Sequence, residues 1–112
     1  MKPEFVDLIG KEHTLRVLFA LRARGPRRFG ELEAALGVNP TQLDRSLKWL
    51  RDRMYVFAET IPAAHGRILV SYELGKRGRA FLEAFDSFLA EADRRRRILG
   101  EKTVKELEAL AG

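Results

Sequence analysis

A capped helix that leads directly into two strands is the feature that most constrains this sequence. Asn39 is a residue type that caps helix N-termini, and Pro40 suits the first helical position. The apolar residues that follow recur at helical spacing and define one inner face: Leu43, Leu47, Leu50 and Met54. After Arg53 the pattern becomes that of β-strands, rich in β-branched and aromatic residues, over 55–61 and 67–74. This part of the chain therefore predicts a helix followed by an antiparallel hairpin with one face on a core.

Two helices are predicted before the capped one. Apolar residues at helical spacing predict a first helix from about Gly10 to Arg24, which Gly25 and Pro26 end. A short second helix over 29–36 places three apolar side chains on one face, and Gly37 is positioned as its C-terminal stop. After the hairpin, the spacing predicts a long helix from Arg79 to about Arg97 and a short one beyond it.

This order of elements is that of a winged helix-turn-helix module, in which the third helix enters the DNA major groove and the hairpin contacts the flanking backbone. The predicted fold is mainly α with a β-hairpin wing and C-terminal dimerisation helices. With domains typically running ~100–150 residues, we predict one domain over residues 1–112. Within it, we expect a DNA-binding core at 10–78 and dimerisation helices at 79–112.

The sequence also resembles the HxlR-type transcriptional regulators, which are small relatives of the MarR class. The resemblance covers roughly residues 5–90. It rests on LIGKEHTLRVLFAL, on the turn from Gly25 to Phe29 with the following Glu31 and Leu32, on LDRSLKWL, and on YEL leading to KRGR. It implies a DNA-binding regulator of transcription.

The amino-acid composition excludes several kinds of site and indicates a kind of partner. The 112 residues contain no cysteine and only two histidines, which excludes disulfides, thiol switches and cysteine metal sites and disfavours a histidine metal site. We expect no cofactor. The 21 Lys and Arg residues against 16 Asp and Glu give a net charge of +5, which suits a polyanionic partner. The chain has no signal-peptide pattern or long apolar run, so we expect a cytoplasmic protein with no membrane partner.

Candidate base contacts lie on the outer side of the third helix. At ~100° per residue, with the leucines facing inward, the opposite side carries four residues and its flank two more. The four are Thr41, Arg45, Lys48 and Asp52; the two are Gln42 and Trp49. Arg and Lys donate to guanine, Gln pairs with adenine, and Thr bonds a base or a phosphate. An ordinary solvated helix face is the alternative interpretation, and Trp49 is expected to pack beside Met54 or at a helix junction.

Phosphate contacts are predicted from other cations. Arg27 and Arg28 precede the second helix and are predicted to contact phosphates. His65 and Arg67 flank Gly66 in the wing loop and are predicted to reach a phosphate or the minor groove, with a surface loop residue of no consequence as the alternative for His65. Lys48 and Arg51 are predicted to add to the salt dependence of binding. By contrast, Arg94-Arg95-Arg96-Arg97 is expected to be a solvated helix end, and His13 a packing residue rather than a sensor.

A homodimer is predicted from the apolar stripe of the C-terminal helices, because large apolar patches are uncommon on monomers. The stripe comprises Phe81, Phe85, Phe88, Leu89, Ala92, Val104, Leu107 and Leu110. A two-fold dimer would set two third helices ~34 Å apart, as a pseudo-palindromic operator requires. By analogy with related regulators, a small-molecule effector would bind non-covalently between the first helix and the C-terminal helices of the dimer.

Catalysis is not expected, because no nucleophile–base pair, P-loop or dinucleotide-binding fingerprint is present. The leading hypothesis is a sequence-specific transcriptional regulator. Two alternatives stay open: a chromatin-like dimer that binds DNA without reading sequence, and a winged helix used for protein–protein assembly.

Overall fold

The computed structural model describes residues 3–11 and 13–98 of the chain. The elements are α1 (Pro3–Gly10), α2 (Thr14–Arg24), β1 (Arg27–Arg28), α3 (Phe29–Leu36), α4 (Pro40–Asp52), β2 (Val56–Pro62), β3 (Ile68–Leu74) and α5 (Lys76–Ile98). The chain divides into two compact units, residues 1–82 and 83–112. Within the part of the chain that the structure describes, none of the helices combines the length and the hydrophobicity that a membrane span needs.

The first predicted helix, from about Gly10 to Arg24, corresponds to α2, which begins at Thr14, and the structure has a further helix α1 before it that was not predicted. The Thr14 hydroxyl lies 3.2 Å from the Leu8 carbonyl oxygen and 3.2 Å from that of Lys11, and donates to both. Thr14 is almost fully buried, so this side chain satisfies carbonyls that the end of α1 leaves without helical partners. The predicted helix exists and ends at Arg24 as expected, but its predicted start near Gly10 is too early, because the chain turns between α1 and α2.

Helix α4 begins as predicted. The Asn39 side-chain oxygen accepts a hydrogen bond of 2.8 Å from the Thr41 backbone N–H, and Pro40 is the first helical residue. The inner face consists of three leucines that are at most 2% exposed: Leu43, Leu47 and Leu50. They pack in the core that α4 shares with α2 and the sheet.

Met54 does not belong to that inner face, contrary to the prediction. Its φ is +65°, in the left-handed region, and its side chain is 58% exposed. The Met54 N–H donates to Arg51 and the Tyr55 N–H donates to Leu50, two bonds that together close the end of the helix. The helix therefore ends at Asp52, whereas the helical spacing of apolar residues in the sequence continues to Met54.

The hairpin belongs to a three-stranded antiparallel sheet in the order β1-β3-β2. The register pairs Val56 with Leu74 at the base and Pro62 with Ile68 near the tip. The short strand β1, which the sequence did not predict, pairs with Ser71 and Tyr72. A mainly helical fold with a hairpin wing is confirmed, and the wing is hereafter the hairpin formed by β2, β3 and the turn between them.

Burial within the wing differs from the prediction of a continuous core face along β3. Tyr72 and Leu74 are buried, whereas Ile68 is 69% and Val70 38% exposed. Only the base of the hairpin therefore packs on the core. At the tip, His65 and Gly66 have φ of 63° and 71°, two successive positive values that match the twist of a tight hairpin turn.

The start of α5 packs directly on the backbone between α4 and β2. The Gly75 N–H donates to the Tyr55 carbonyl at 2.9 Å. A Cβ at Gly75 would lie 2.7 Å from the Met54 carbonyl oxygen, and one at Gly78 would clash with the Tyr55 carbonyl oxygen. The two glycines therefore permit a close approach that fixes the chain following α4.

Candidate nucleic-acid interface

The outer side of α4 is the main candidate interface. Four exposed residues lie opposite the buried leucines and are called the recognition face: Thr41, Arg45, Lys48 and Asp52. Gln42 and Arg51 are also exposed and flank this face. Among residues 3–11 and 13–98, no ion pair involves Arg45, Lys48 or Arg51. These cations therefore keep their hydrogen-bond donors available to a partner.

Trp49 lies on the flank of α4 and packs against its own chain. Its ring stacks on Tyr55 with centroids 6.3 Å apart and an interplanar angle of 5°. The Arg53 guanidinium lies 4.1 Å from the Trp49 ring centroid, and the Arg77 guanidinium 4.6 Å from that of Tyr55. The sequence predicted that Trp49 packs beside Met54 or at a helix junction; in the structure its ring lies against Tyr55, which follows α4, and the Arg53 guanidinium.

The start of α3 carries the predicted pair Arg27 and Arg28. The Arg28 N–H donates to the Glu31 carboxylate at 3.0 Å, and its guanidinium lies 3.3 Å from the same oxygen. Chiefly through the backbone hydrogen bond, this contact holds the pKa of Glu31 below its ordinary value. Arg27 donates to the Pro26 carbonyl at 2.8 Å and is half-buried. Arg28 thus already shares its charge with a carboxylate.

The wing presents its two predicted contacts at the hairpin tip. His65 and Arg67 are exposed, and the backbone N–H of Ala63 donates to the carbonyl of Arg67 at 2.9 Å. His65 adopts the left-handed conformation, which is uncommon outside glycine although several-fold enriched in histidine. The closed turn projects both side chains away from the buried base of the sheet.

The four-arginine run forms the end of α5 and is paired within its own helix. Glu91 accepts from Arg94 at 2.6 Å and from Arg95 at 2.8 Å. Asp93 accepts from Arg96 at 2.8 Å and from Arg97 at 2.9 Å. These bonds lower the pKa of the Glu91 carboxyl, with Arg94 as the larger cause, and raise that of Arg94. The run has the geometry of a solvated, ion-paired helix end.

The predicted dimer stripe does not have uniform exposure. Phe81 is only 7% exposed and belongs to the core of the chain itself, so it has little surface left for a partner. Phe85 is half-buried, whereas Phe88 is 65% and Leu89 48% exposed, and Ala92 is exposed. The remaining members of the stripe lie outside the described residues: Val104, Leu107 and Leu110.

The helix order, the capped α4 with its exposed cations and the wing together define a winged helix-turn-helix protein of the class that regulates transcription. A family model described as HxlR-like helix-turn-helix matches residues 8–96. The chain belongs to this HxlR-like family, and it is a transcriptional regulator rather than an enzyme. DNA is the partner that membership of the family implies.

Solved structures with the same fold are regulators of this kind. The reduced form of the transcriptional regulator YodB from B. subtilis is 26% identical, with a TM-score of 0.72 over 84% of this chain and 93% of that one. Its quinone-bound form is 26% identical, with a TM-score of 0.66 over 84% and 99% of the two chains. A MarR-family regulator from Enterococcus faecalis V583 shares the fold at 23% identity, with a TM-score of 0.72 over 86% of each chain. No curated protein matches the chain.

Proposed function

We propose that this chain is a homodimeric, sequence-specific regulator that reads a pseudo-palindromic operator with α4. The observation that carries the proposal is the recognition face, a capped helix surface whose Arg45 and Lys48 have no ion-pair partner in the described part of the chain. Cations without carboxylate partners bind DNA without first giving up an internal contact. The nearby wing supplies a second element for the same duplex.

The residues have different roles in this proposal. Arg45 and Lys48 donate to guanine O6 and N7, Gln42 pairs with adenine, and Thr41 bonds a base or a phosphate near the N-terminus of α4. The remaining predicted contacts bind phosphates and orient the protein, or reach the minor groove from the wing. They are Arg27, Arg28, Arg51, His65 and Arg67.

Dimerisation rests on the exposed apolar residues of the second unit. Phe88 and Leu89 are 65% and 48% exposed, which is costly for aromatic and aliphatic side chains that face water. A two-fold axis through these helices buries the same patch twice and repeats α4 about one DNA turn, ~34 Å, away. The pseudo-palindromic operator follows from this symmetry.

The test is a footprinting assay on genomic fragments in the presence of random competitor DNA. We expect protection of one or a few sites with two-fold symmetry. Uniform coating of all fragments would favour the chromatin-like alternative, and no binding even at low salt would favour a protein-assembly module. Arg45→Ala and Arg95→Ala form a matched pair, and only the first is expected to weaken protection, because Arg95 is bound to Glu91.

Light scattering tests the dimer. A mass near twice the 12.8 kDa of one chain is expected, and Phe88→Glu should give monomers that no longer protect the operator. For the mass measurement alone, Ile68→Glu is the control, because Ile68 is similarly exposed at 69% but lies in the wing, outside the proposed dimer interface. A monomeric wild-type protein, or a dimeric Phe88→Glu variant, contradicts the proposed interface.

A small-molecule effector is the last part of the proposal. The quinone-bound YodB structure places a ligand on a similar protein. Because this chain has no cysteine, an effector here binds without a covalent bond to a thiol, in the apolar space that the dimer would form. Thermal-shift screening of metabolites tests this point, and a flat profile with intact DNA binding would indicate regulation by protein abundance alone.

A further inference from the structure

A cavity of about 290 Å³ opens beside α4, at the turn between α1 and α2. Its lining comes from that turn and from the flank of α4: Lys11, His13, Thr14, Gln42, Arg45, Ser46 and Trp49. Among the lining residues that the structure describes, no side chain is acidic, and two carry a full positive charge. This space, hereafter the Lys11 cavity, is therefore suited to an anion.

The cavity wall is held in place by specific contacts. The Lys11 N–H donates to the Asp7 carbonyl at 2.9 Å, and the buried Thr14 hydroxyl bonds the Lys11 carbonyl at 3.2 Å. The Lys11 ammonium lies 5.6 Å from the centroid of the Trp49 ring, a cation–π contact that keeps it next to α4. No carboxylate pairs with Lys11 among residues 3–11 and 13–98. Within the described residues, the Lys11 ammonium therefore lies beside an aromatic ring rather than a carboxylate, at the wall of the cavity.

The donors in the Lys11 cavity match a phosphate oxyanion. Lys11 supplies a charged donor and the Ser46 hydroxyl a neutral one, while Arg45 and Gln42, which read bases in the proposed function, form the wall towards the recognition face. Arg45 also belongs to the recognition face, so the cavity adjoins the surface that meets DNA in the proposed function. A phosphate bound here would therefore lie beside the recognition face.

We propose that the Lys11 cavity binds one backbone phosphate of DNA, with Lys11 as its principal cation. This inference rests on the proposed function. It adds a phosphate contact from the α1–α2 turn to the proposed ones from the start of α3 and the wing. The protein would then contact the DNA backbone on a further side of α4. Lys11 is a positioning residue: it sets the register of α4 in the groove and carries no sequence information itself.

Measurement of affinity against salt tests the proposal. Lys11→Gln should lower the slope of log K against log salt by ~0.9 per subunit, and should weaken operator and random DNA by the same factor, about five- to tenfold at ~0.1 M salt. Arg24→Gln is the control, because it removes the same charge from an exposed residue outside the cavity lining. Lys11 is itself exposed, so both variants should fold, as circular dichroism can verify.

Single methylphosphonate substitutions in the operator identify the phosphate. One neutralised phosphate in each half-site should weaken the wild-type protein and leave Lys11→Gln unaffected, because the contact is already lost. If no phosphate couples to Lys11, or if Lys11→Gln behaves like Arg24→Gln while the wild type protects its operator, only this inference fails. If the wild type binds no DNA, the proposed function fails and the phosphate contact fails with it.

The same chemistry would accommodate a phosphate that does not belong to DNA. Trp49 is the only tryptophan of the chain and lines the cavity, so its fluorescence reports occupancy directly. We expect DNA to change this emission and inorganic phosphate alone to have no effect at micromolar concentration. Tight binding of inorganic phosphate that persists when DNA is bound would assign the cavity to a free ligand and overturn the DNA assignment.

Discussion

Two basic regions of this protein have similar composition and different surroundings. At the end of α5, Arg94 and Arg95 bind Glu91, while Arg96 and Arg97 bind Asp93, at N–O distances of 2.6 to 2.9 Å. On α4, the cations Arg45, Lys48 and Arg51 have no such partner among the described residues. The denser cluster of positive side chains, at the end of α5, is therefore the one less available to an external anion.

In the proposed function, local pairing rather than the number of positive charges distinguishes the nucleic-acid surface from the other basic region. An arginine that is paired with a carboxylate one turn away attracts a phosphate only weakly, because the negative charge of the carboxylate beside it offsets its positive charge. Beside α4, positive side chains lie over aromatic rings instead, with Lys11 and Arg53 near Trp49. A ring leaves the charge of the cation intact, which favours contact with an anion.

The largest effect should come from removing the charges of α4. The triple variant Arg45→Gln, Lys48→Gln and Arg51→Gln is expected to lose operator affinity by at least ~100-fold and to lower the salt slope by about 2 per subunit. Fluorescence anisotropy with labelled operator at several salt concentrations measures both quantities.

The matched control removes three charges from the paired cluster, by Arg94→Gln, Arg95→Gln and Arg97→Gln. Because these side chains are ion-paired in the helix, their loss should change affinity by only ~2–3-fold through the altered net charge. Equal losses in the two triple variants would remove the distinction between the regions and support binding by overall charge.

Sequence patterns predicted the parts of the fold that depend on local chemistry. The cap at Asn39 and the leucines of α4 follow from side-chain type and spacing, and the structure agrees. Met54 fits the same spacing but leaves the helix, because the hydrogen bonds from Met54 and Tyr55 that end α4 require a left-handed residue there. Residue periodicity contains no information on where such a motif begins.

In the candidate site, helical spacing predicted only residues that lie on the same helix. Arg45 and Lys48 were placed on one face by helical geometry alone. The proposed contact by Lys11 was not predicted, because the position of Lys11 beside Trp49 depends on a tertiary contact between the α1–α2 turn and α4. The pairing of Arg28 with Glu31 was missed as well, although a glutamate three residues after a helix start is a recognised signal.

A single substitution on the recognition face should change specificity as well as affinity. Arg45→Ala is expected to cost ~1–3 kcal/mol on the operator and to relax preference at one base position, because a donor pair to guanine is lost. Arg67→Ala, in the wing, should weaken all sequences alike. Selection of bound sequences from a random pool measures both, and a uniform loss for Arg45→Ala would favour the chromatin-like alternative.

The aromatic partners beside α4 should contribute to stability in a way that salt does not screen. Trp49→Leu removes the stack on Tyr55 and the ring under Arg53, for an expected loss of about 1–3 kcal/mol in the free energy of unfolding. Trp49→Phe is the control, because it keeps a ring and should recover part of the loss. Urea unfolding at low and high salt measures the difference; a loss that disappears in high salt would indicate an ionic contact instead.

The smallest effect should come from the acid that pairs the arginine run. The pKa of the Glu91 carboxyl is lower in the folded helix, so the ion pairs of Glu91 stabilise the helix at neutral pH, above the ordinary glutamate pKa of ~4.3. That stabilisation is lost as the pH falls through the lowered folded value. Glu91→Gln should therefore slightly reduce amide-exchange protection near the end of α5 at pH 7 and make no difference in strong acid.

Glu83→Gln, on the same helix but without an ion pair in the described residues, is the control. If both variants behave alike at neutral pH, the ion pairs do not hold the arginine run, and the contrast with α4 loses its physical basis.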